Sequence, residues 1–271
     1  MGNFCSSDNV KLNFLDYGSG LPIVMMAGYG GSAETHISQS DALVEAGFRV
    51  ILFDRRSHGA SENAIQGQHL TRHAADVYEL AAYLNLKDFI IAGHSMGAST
   101  VYAYFSVFGS ANVRAGICID QTPRMINDET WNLGMYGLTR DNMGHFFDDI
   151  AMVHERSAKE MSANIPGYAE MVAANPEMMQ APPFDFERTR PLLFEHAWAD
   201  WRDVLPSINV PILFIAGGSN NAFWSSEHAK YCAEQCPKGQ CVIIEGAGHL
   251  VPMVKPAECN EAMVKFVKEV S

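Results

Sequence analysis

Positive charge is scarce in this chain. Its 271 residues carry 19 lysines and arginines against 31 aspartates and glutamates, a formal net charge of −12. A surface of that sign repels phosphate, which works against nucleic acid or anionic lipid as a partner. Long apolar runs are missing as well: no stretch of eighteen apolar residues occurs, so no membrane span is expected. The first residues, Met1 to Asp8, have neither a basic start nor an apolar core, so no signal peptide is expected and cytoplasmic residence is the default. Cysteine is limited to Cys5, Cys118, Cys232, Cys236, Cys241 and Cys259, too few for a disulfide scaffold of this size. The Cys232, Cys236, Cys241 group lacks C-x-x-C spacing and a clear fourth ligand, so free thiols on or beside a sheet are expected rather than a metal site. Internal repeats and low-complexity segments are absent too.

What is present is a globular composition, 48% hydrophobic and 18% charged. Short β-branched and apolar runs alternate with amphipathic stretches, the pattern of βαβ units and a mainly parallel sheet. The expected strands are Val10–Tyr17, Pro22–Met26, Arg49–Phe53, Phe89–Ala92, Arg114–Ile119, Ile212–Ala216 and Cys241–Glu245. The expected helices are Ser38–Ala46, His69–Leu84, Ser99–Phe108, Ser226–Ala233 and Pro256–Val270. In the second of these, Ala74, Val77, Leu80, Ala81 and Leu84 fall on one stripe at helical spacing.

The alternation stops between about Thr122 and Ser207. This stretch is rich in methionine (Met125, Met135, Met143, Met152, Met161, Met171, Met178, Met179) and carries Trp131, Tyr136, Phe146, Phe147 and Tyr168, with loop signals at Pro166, Pro176 and Pro182-Pro183. It reads as a mostly helical cap over 122–207, inserted between core segments 1–121 and 208–271. Its methionines and aromatics either pack the cap onto the core or line an adaptable acyl pocket. Asp200-Trp201-Arg202-Asp203 reads as the helix that returns the cap to the core.

The chemistry is announced by Gly93-His94-Ser95-Met96-Gly97, set between the apolar run Phe89–Ala92 and a helix-like stretch. This is G-x-S-x-G in a strand–turn–helix context, which places Ser95 exposed on a sharp turn at a helix N-terminus. A serine hydroxyl needs a base to take its proton, and the base needs an acid to hold its tautomer. His249, in the glycine-punctuated loop Glu245-Gly246-Ala247-Gly248-His249 after the last strand, is the expected base. His94 is expected to point away from the site and to pack or orient the turn.

These segments resemble the α/β-hydrolase fold family, in its capped esterase, haloperoxidase-like and C–C-hydrolase-like branch. The resemblance rests on the elbow, on Gly246–His249, on Asp54-Arg55-Arg56-Ser57-His58-Gly59-Ala60-Ser61, and on Ala27-Gly28-Tyr29-Gly30-Gly31. The third segment is similar to the family's D-x-R-G-H-G-x-S turn, with Ser57 in place of a glycine. The fourth is similar to its H-G-x-G loop, with Ala27 in place of the histidine. By that resemblance the oxyanion hole consists of the backbone N–H groups of Tyr29 and Met96.

The acid departs from the family's commoner pattern. After the late strand the chain reads Gly217-Gly218-Ser219-Asn220-Asn221-Ala222, without the usual aspartate. Some members carry the acid at the end of the strand that follows the nucleophile helix, where this chain has Asp120. The expectation is therefore a relocated triad, Ser95–Asp120–His249; the alternative leaves Asp120 as a cap on the turn into the lid and Asn220 orienting a neutral histidine. Asp54 is expected to pair with neighbouring arginines, and Arg124, Arg140, Arg188 and Arg190 are candidates for a substrate carboxylate.

The expected activity is hydrolysis of a small or medium carboxylic ester, lactone or related acyl compound, with no metal and no organic cofactor. A C–C hydrolase or perhydrolase on the same residues, and a ligand sensor with little turnover, are the alternatives. The small acyl substrate is the one expected partner; oligomeric state is not legible.

Overall fold

The computed structural model describes residues 1–147, 184–218 and 223–271. Eight strands form one sheet: β1 (Gly2–Cys5), β2 (Lys11–Gly18), β3 (Pro22–Met26), β4 (Arg49–Phe53), β5 (Phe89–His94), β6 (Val113–Ile119), β7 (Ile212–Gly217) and β8 (Gly239–Ile244), in the order β1-β2-β4-β3-β5-β6-β7-β8. β1 pairs with β2 and β2 with β4 in antiparallel fashion; every other neighbour pair is parallel.

The parallel strands are apolar on both faces because helices cover both. Val24, Met26, Ile51, Phe53, Phe89, Ile91, Phe214 and Ala216 join one core with Leu70, Ala74, Val77 and Leu80 of α2 (Leu70–Tyr83) and Val101 and Phe105 of α3 (Met96–Phe108). Their alternate neighbours, among them Ile23, Met25, Val50, Leu52, Ile90, Ala92, Leu213 and Ile215, face a second core with Leu43 of α1 (Ile37–Glu45) and Met263, Phe266 and Val267 near the C-terminus. Side chains of a strand alternate in direction, so one continuous apolar run feeds both cores.

The strands and helices expected outside 122–207 are all present, with ends shifted by a few residues at most. α3 starts at Met96, three residues before the expected Ser99. β1 was not expected: it is four residues long at the sheet edge, and Gly2 sits so close to the Phe14 ring that a Cβ there would lie 2.5 Å from it. Only the tertiary pairing with β2 makes it a strand.

Of the stretch 122–207, residues 148–183 lie outside the described residues, and with them Met152, Met161, Met171, Met178, Met179, Tyr168, Pro166, Pro176 and Pro182-Pro183. From Thr122 to Asn142 the chain runs in turns and isolated bridges rather than helix. Here Asp128 accepts from the Thr130 N–H at 2.8 Å and Asn127 from the Gly134 N–H at 2.9 Å. Such local bonds compete with helical ones. A short helix, α4 (Met143–Phe146), follows, and α5 (Phe186–Trp198) leads back to the core. Met125 and Met143 are buried in the first core.

The expected helix at Asp200–Asp203 is corrected. α5 ends at Trp198, Asp200 bridges to Arg124, and the Asp200 carboxylate accepts from both the Arg202 guanidinium and, at 3.3 Å, its backbone N–H. That local bonding turns the chain out of the helix. The remaining α-helices among the described residues are α6 (Glu227–Gln235), α7 (Val251–Val254) and α8 (Pro256–Val270). Because β5, β6 and β7 are neighbours and parallel, their carboxyl ends open on one edge of the sheet, and the functional side chains gather there.

Candidate active site

β5 ends at His94 and α3 begins at Met96, leaving Ser95 alone in the turn at φ 54° and ψ −127°. A non-glycine residue at positive φ is strained and is kept there only by its surroundings. Both flanking glycines are required: a Cβ at Gly93 would lie 2.2 Å from the Gly97 carbonyl carbon, and one at Gly97 would lie 2.5 Å from the Met26 carbonyl oxygen. The Ser95 N–H donates to the Ile119 carbonyl at 2.9 Å, tying the turn to the end of β6.

His249 reaches this turn from the loop after β8. Its Nε2 lies 2.9 Å from Ser95 Oγ and its Nδ1 2.7 Å from Asp120 Oδ2. For the serine to donate, Nε2 must be the unprotonated nitrogen, so Nδ1–H donates to the carboxylate. His94 does point away from the nucleophile: its Nε2–H donates to the His249 carbonyl at 2.8 Å. Burial, and then the neighbouring His249 and His36 rings, push the His94 pKa down to about 3, so it is a neutral brace for the His249 loop.

Asp120 follows β6, is fully buried and has φ 45°. Its Oδ1 accepts from the Gly217 N–H at 3.1 Å and its Oδ2 from the Trp224 indole N–H at 3.2 Å. His228 Nε2 stands 3.8 Å from Oδ1, beyond hydrogen-bond length. Burial alone would raise this carboxyl, but the imidazoles of His228 and His249 outweigh it and hold the group well below the usual carboxylate range. Asn220, the alternative partner, and the rest of 219–222 lie outside the described residues.

The Ala27–Gly31 loop flanks the nucleophile. A Cβ on Gly28 would sit 3.0 Å from Ser95 Cβ, so the loop backbone itself is what faces the serine. Met96 is the first residue of α3, where a backbone N–H has no intrahelical acceptor. Tyr29 directs its side chain to the 122–207 segment, with Oη 2.8 Å from Thr189 Oγ1 and its ring edge-on to Phe184 at 4.9 Å. Burial raises its phenol to about 12.

Asp54 does not pair with the arginines beside it. Its carboxylate accepts from Asn13 Nδ2 at 2.8 Å and from the backbone N–H groups of Ala33 at 2.7 Å and Ala60 at 3.0 Å. Arg56 turns instead to Asp76 and Asp8. Ser57, in the place of the family's glycine, takes φ 62°, the conformation for which glycine is the default.

Of the four candidate arginines, Arg124 pairs with Asp128 and Asp200, Arg188 with Asp185, and Arg190 lies over the Phe194 ring at 5.5 Å; Arg140 is exposed. All six cysteines are free thiols, Cys118, Cys232, Cys236 and Cys259 buried. Among the described residues no group of three or more His, Cys, Asp and Glu side chains could hold a metal ion, and no helix is long and apolar enough to cross a membrane.

Trp224 and His228, beside Asp120, had no part in the sequence reading, and Arg55 entered it only as a member of the segment that begins at Asp54. None stands in a spacing that marks it, although Arg55 lies within the motif built on Asp54 and could have been asked about there.

Comparisons with known proteins agree with this fold. A family model described as the alpha/beta hydrolase fold matches residues 22–256. A non-heme haloperoxidase of Rhodococcus erythropolis is 26% identical, covering 97% of this chain and 98% of its own. A bifunctional esterase/perhydrolase of Acinetobacter calcoaceticus is 22% identical over 99% of this chain and 100% of its own. Among solved structures, an esterase from Exiguobacterium antarcticum superposes with a TM-score of 0.88 at 24% identity, covering 99% of this chain and 100% of that one.

Proposed function

The chain belongs to the α/β-hydrolase fold family, and from that premise we propose that it is a serine hydrolase of small or medium carboxylic esters, lactones or related acyl compounds. The observation that carries this reading is the 2.9 Å contact between Ser95 Oγ and His249 Nε2 at the elbow. In the proposed cycle Ser95 Oγ attacks the substrate carbonyl as its proton passes to His249 Nε2. Asp120 remains ionised and stabilises the imidazolium through Nδ1–H. The oxyanion is met by the N–H groups of Tyr29 and Met96. His249 then gives its proton to the leaving alcohol, and water, deprotonated by the same nitrogen, releases the acid.

Residues 122–207 act as the cap over this site. Three contacts support that role: the Tyr29 hydroxyl to Thr189, and the Tyr29 ring to Phe184 and to Phe186. Perhydrolysis is the second reading, favoured by the esterase/perhydrolase relative: hydrogen peroxide in place of water at the acyl-enzyme gives a peracid and free serine.

The test is steady-state hydrolysis of p-nitrophenyl acetate by the wild type and Ser95→Ala. Sustained turnover, lowered at least about 10³-fold by the substitution, is the expected result. A single turnover followed by arrest supports a sensor instead, and turnover unaffected by Ser95→Ala overturns the reading.

A further inference from the structure

Arg55 is buried beneath the Ala27–Gly31 loop, and among the described residues no carboxylate forms an ion pair with it. Its three acceptors are all uncharged. Nη2 donates to the Gly28 carbonyl at 2.9 Å and to His58 Nε2 at 3.1 Å, and Nη1 donates to His73 Nδ1 at 3.2 Å. A guanidinium only donates, so both imidazole nitrogens must be lone-pair acceptors. The His58 proton is then on Nδ1, which donates to the Arg56 carbonyl at 2.9 Å, and the His73 proton on Nε2. Burial first, and the Arg55 charge second, hold both histidines well below their ordinary pKa, which keeps them neutral and able to accept.

A buried cation held by two neutral rings and a carbonyl is an expensive arrangement unless it serves something. The carbonyl it holds belongs to the Gly28–Tyr29 peptide, whose other end is the Tyr29 N–H. The chain has no cis peptide among the described residues, and a trans peptide sets N–H opposite to C=O. Gly28 O also accepts from the Gly31 N–H at 3.2 Å, so two donors pin this oxygen and with it the direction of the N–H. Withdrawal of electron density from the carbonyl further strengthens the N–H as a donor.

We propose that Arg55 is a positioning residue for the oxyanion hole: by holding Gly28 O it aims and polarises the Tyr29 N–H, and it places a positive charge behind the developing oxyanion. In this chain Arg55 takes a supporting role on a loop where Ala27 stands in place of the family's histidine. The inference rests on the acyl-transfer reading above.

The test compares wild type, Ser95→Ala, Arg55→Met and His73→Phe in p-nitrophenyl acetate hydrolysis. It adds inhibition by 1,1,1-trifluoro-2-butanone, which a serine nucleophile captures as a tetrahedral anion. Folded Arg55→Met is expected to lose about 10- to 100-fold in kcat with KM within about twofold, and to bind the ketone more weakly by the same factor. A merely structural role does not make ketone affinity track kcat at constant KM. If Arg55→Met does not fold, His73→Phe, which removes one support of the guanidinium and keeps its charge, is expected to lower kcat and ketone affinity together about three- to tenfold. Either variant, folded and with kcat and ketone affinity unchanged, overturns the proposal. Loss of activity in Ser95→Ala beside a fully active Arg55→Met leaves the hydrolase reading intact and removes only this inference, whereas an active Ser95→Ala removes both.

Discussion

The indole N–H of Trp224 lies 3.2 Å from Asp120 Oδ2, the same carboxylate oxygen that receives His249 Nδ1 at 2.7 Å. With the Gly217 N–H on the other oxygen, the carboxylate is held in a fixed plane facing the imidazole. In the proposed triad a fixed acid fixes the histidine tautomer, and the tautomer decides whether Ser95 can be deprotonated.

Asp120→Asn should therefore lower kcat by about 10³- to 10⁴-fold with little change in KM, because an amide can hold His249 in the wrong tautomer and cannot balance an imidazolium. Steady-state kinetics with p-nitrophenyl acetate, on protein whose melting temperature is checked alongside, measure this. A loss below about tenfold would mean that another group serves as the acid.

Trp224→Phe keeps an aromatic ring and removes one N–H from a buried carboxylate, a bond of the charged class worth about 1.5–3 kcal/mol. Stability to urea should fall by that order. Turnover should fall only about three- to tenfold, since Gly217 and His249 still hold Asp120. A loss as large as that of Asp120→Asn would show that Trp224 does more than steady the acid.

Five buried histidines set the acid limit of the fold. Burial is the largest cause in each case; it lowers His36 to about 4 and His94 and His196 to about 3, and it holds His58 and His73 well below the ordinary value. Below about pH 6.5 the unfolded chain binds protons that these folded rings refuse, so stability is full above that pH and is lost as pH falls towards their folded values. Each ring contributes about 1.4 kcal/mol per pH unit within that window. Asp54, Asp76 and Glu195, raised chiefly by burial, act in the opposite sense but are three groups against five. The melting temperature should drop by at least about 10 °C between pH 7 and pH 5. A flat profile over that range would contradict neutral burial of these rings.

Much of the architecture was legible because it is written in local periodicity. Pro22–Met26, Arg49–Phe53 and Pro256–Val270 have the same ends in the sequence reading and in the structure. β1 was not legible, since four residues at an edge become a strand only through their partner. The Asp200–Asp203 turn was misread as helix, because the Asp200 carboxylate takes the local bonds that would have continued it.

By itself, the sequence determined the elbow: five consecutive residues dictate a turn in which Gly93 and Gly97 admit the crossing backbone and Ser95 is left on its point. It also placed a histidine in a glycine-rich loop after the last strand. What surrounds the acid was decided only by the tertiary structure. Asp120 is 97 residues from Gly217, 104 from Trp224 and 129 from His249, and they meet because parallel β5, β6 and β7 are neighbours and open on one edge. The same holds for Arg55, whose grip on Gly28 depends on two loops packed over the sheet. Hydrogen bonds between distant residues have no period along the chain, so only the folded arrangement can reveal them.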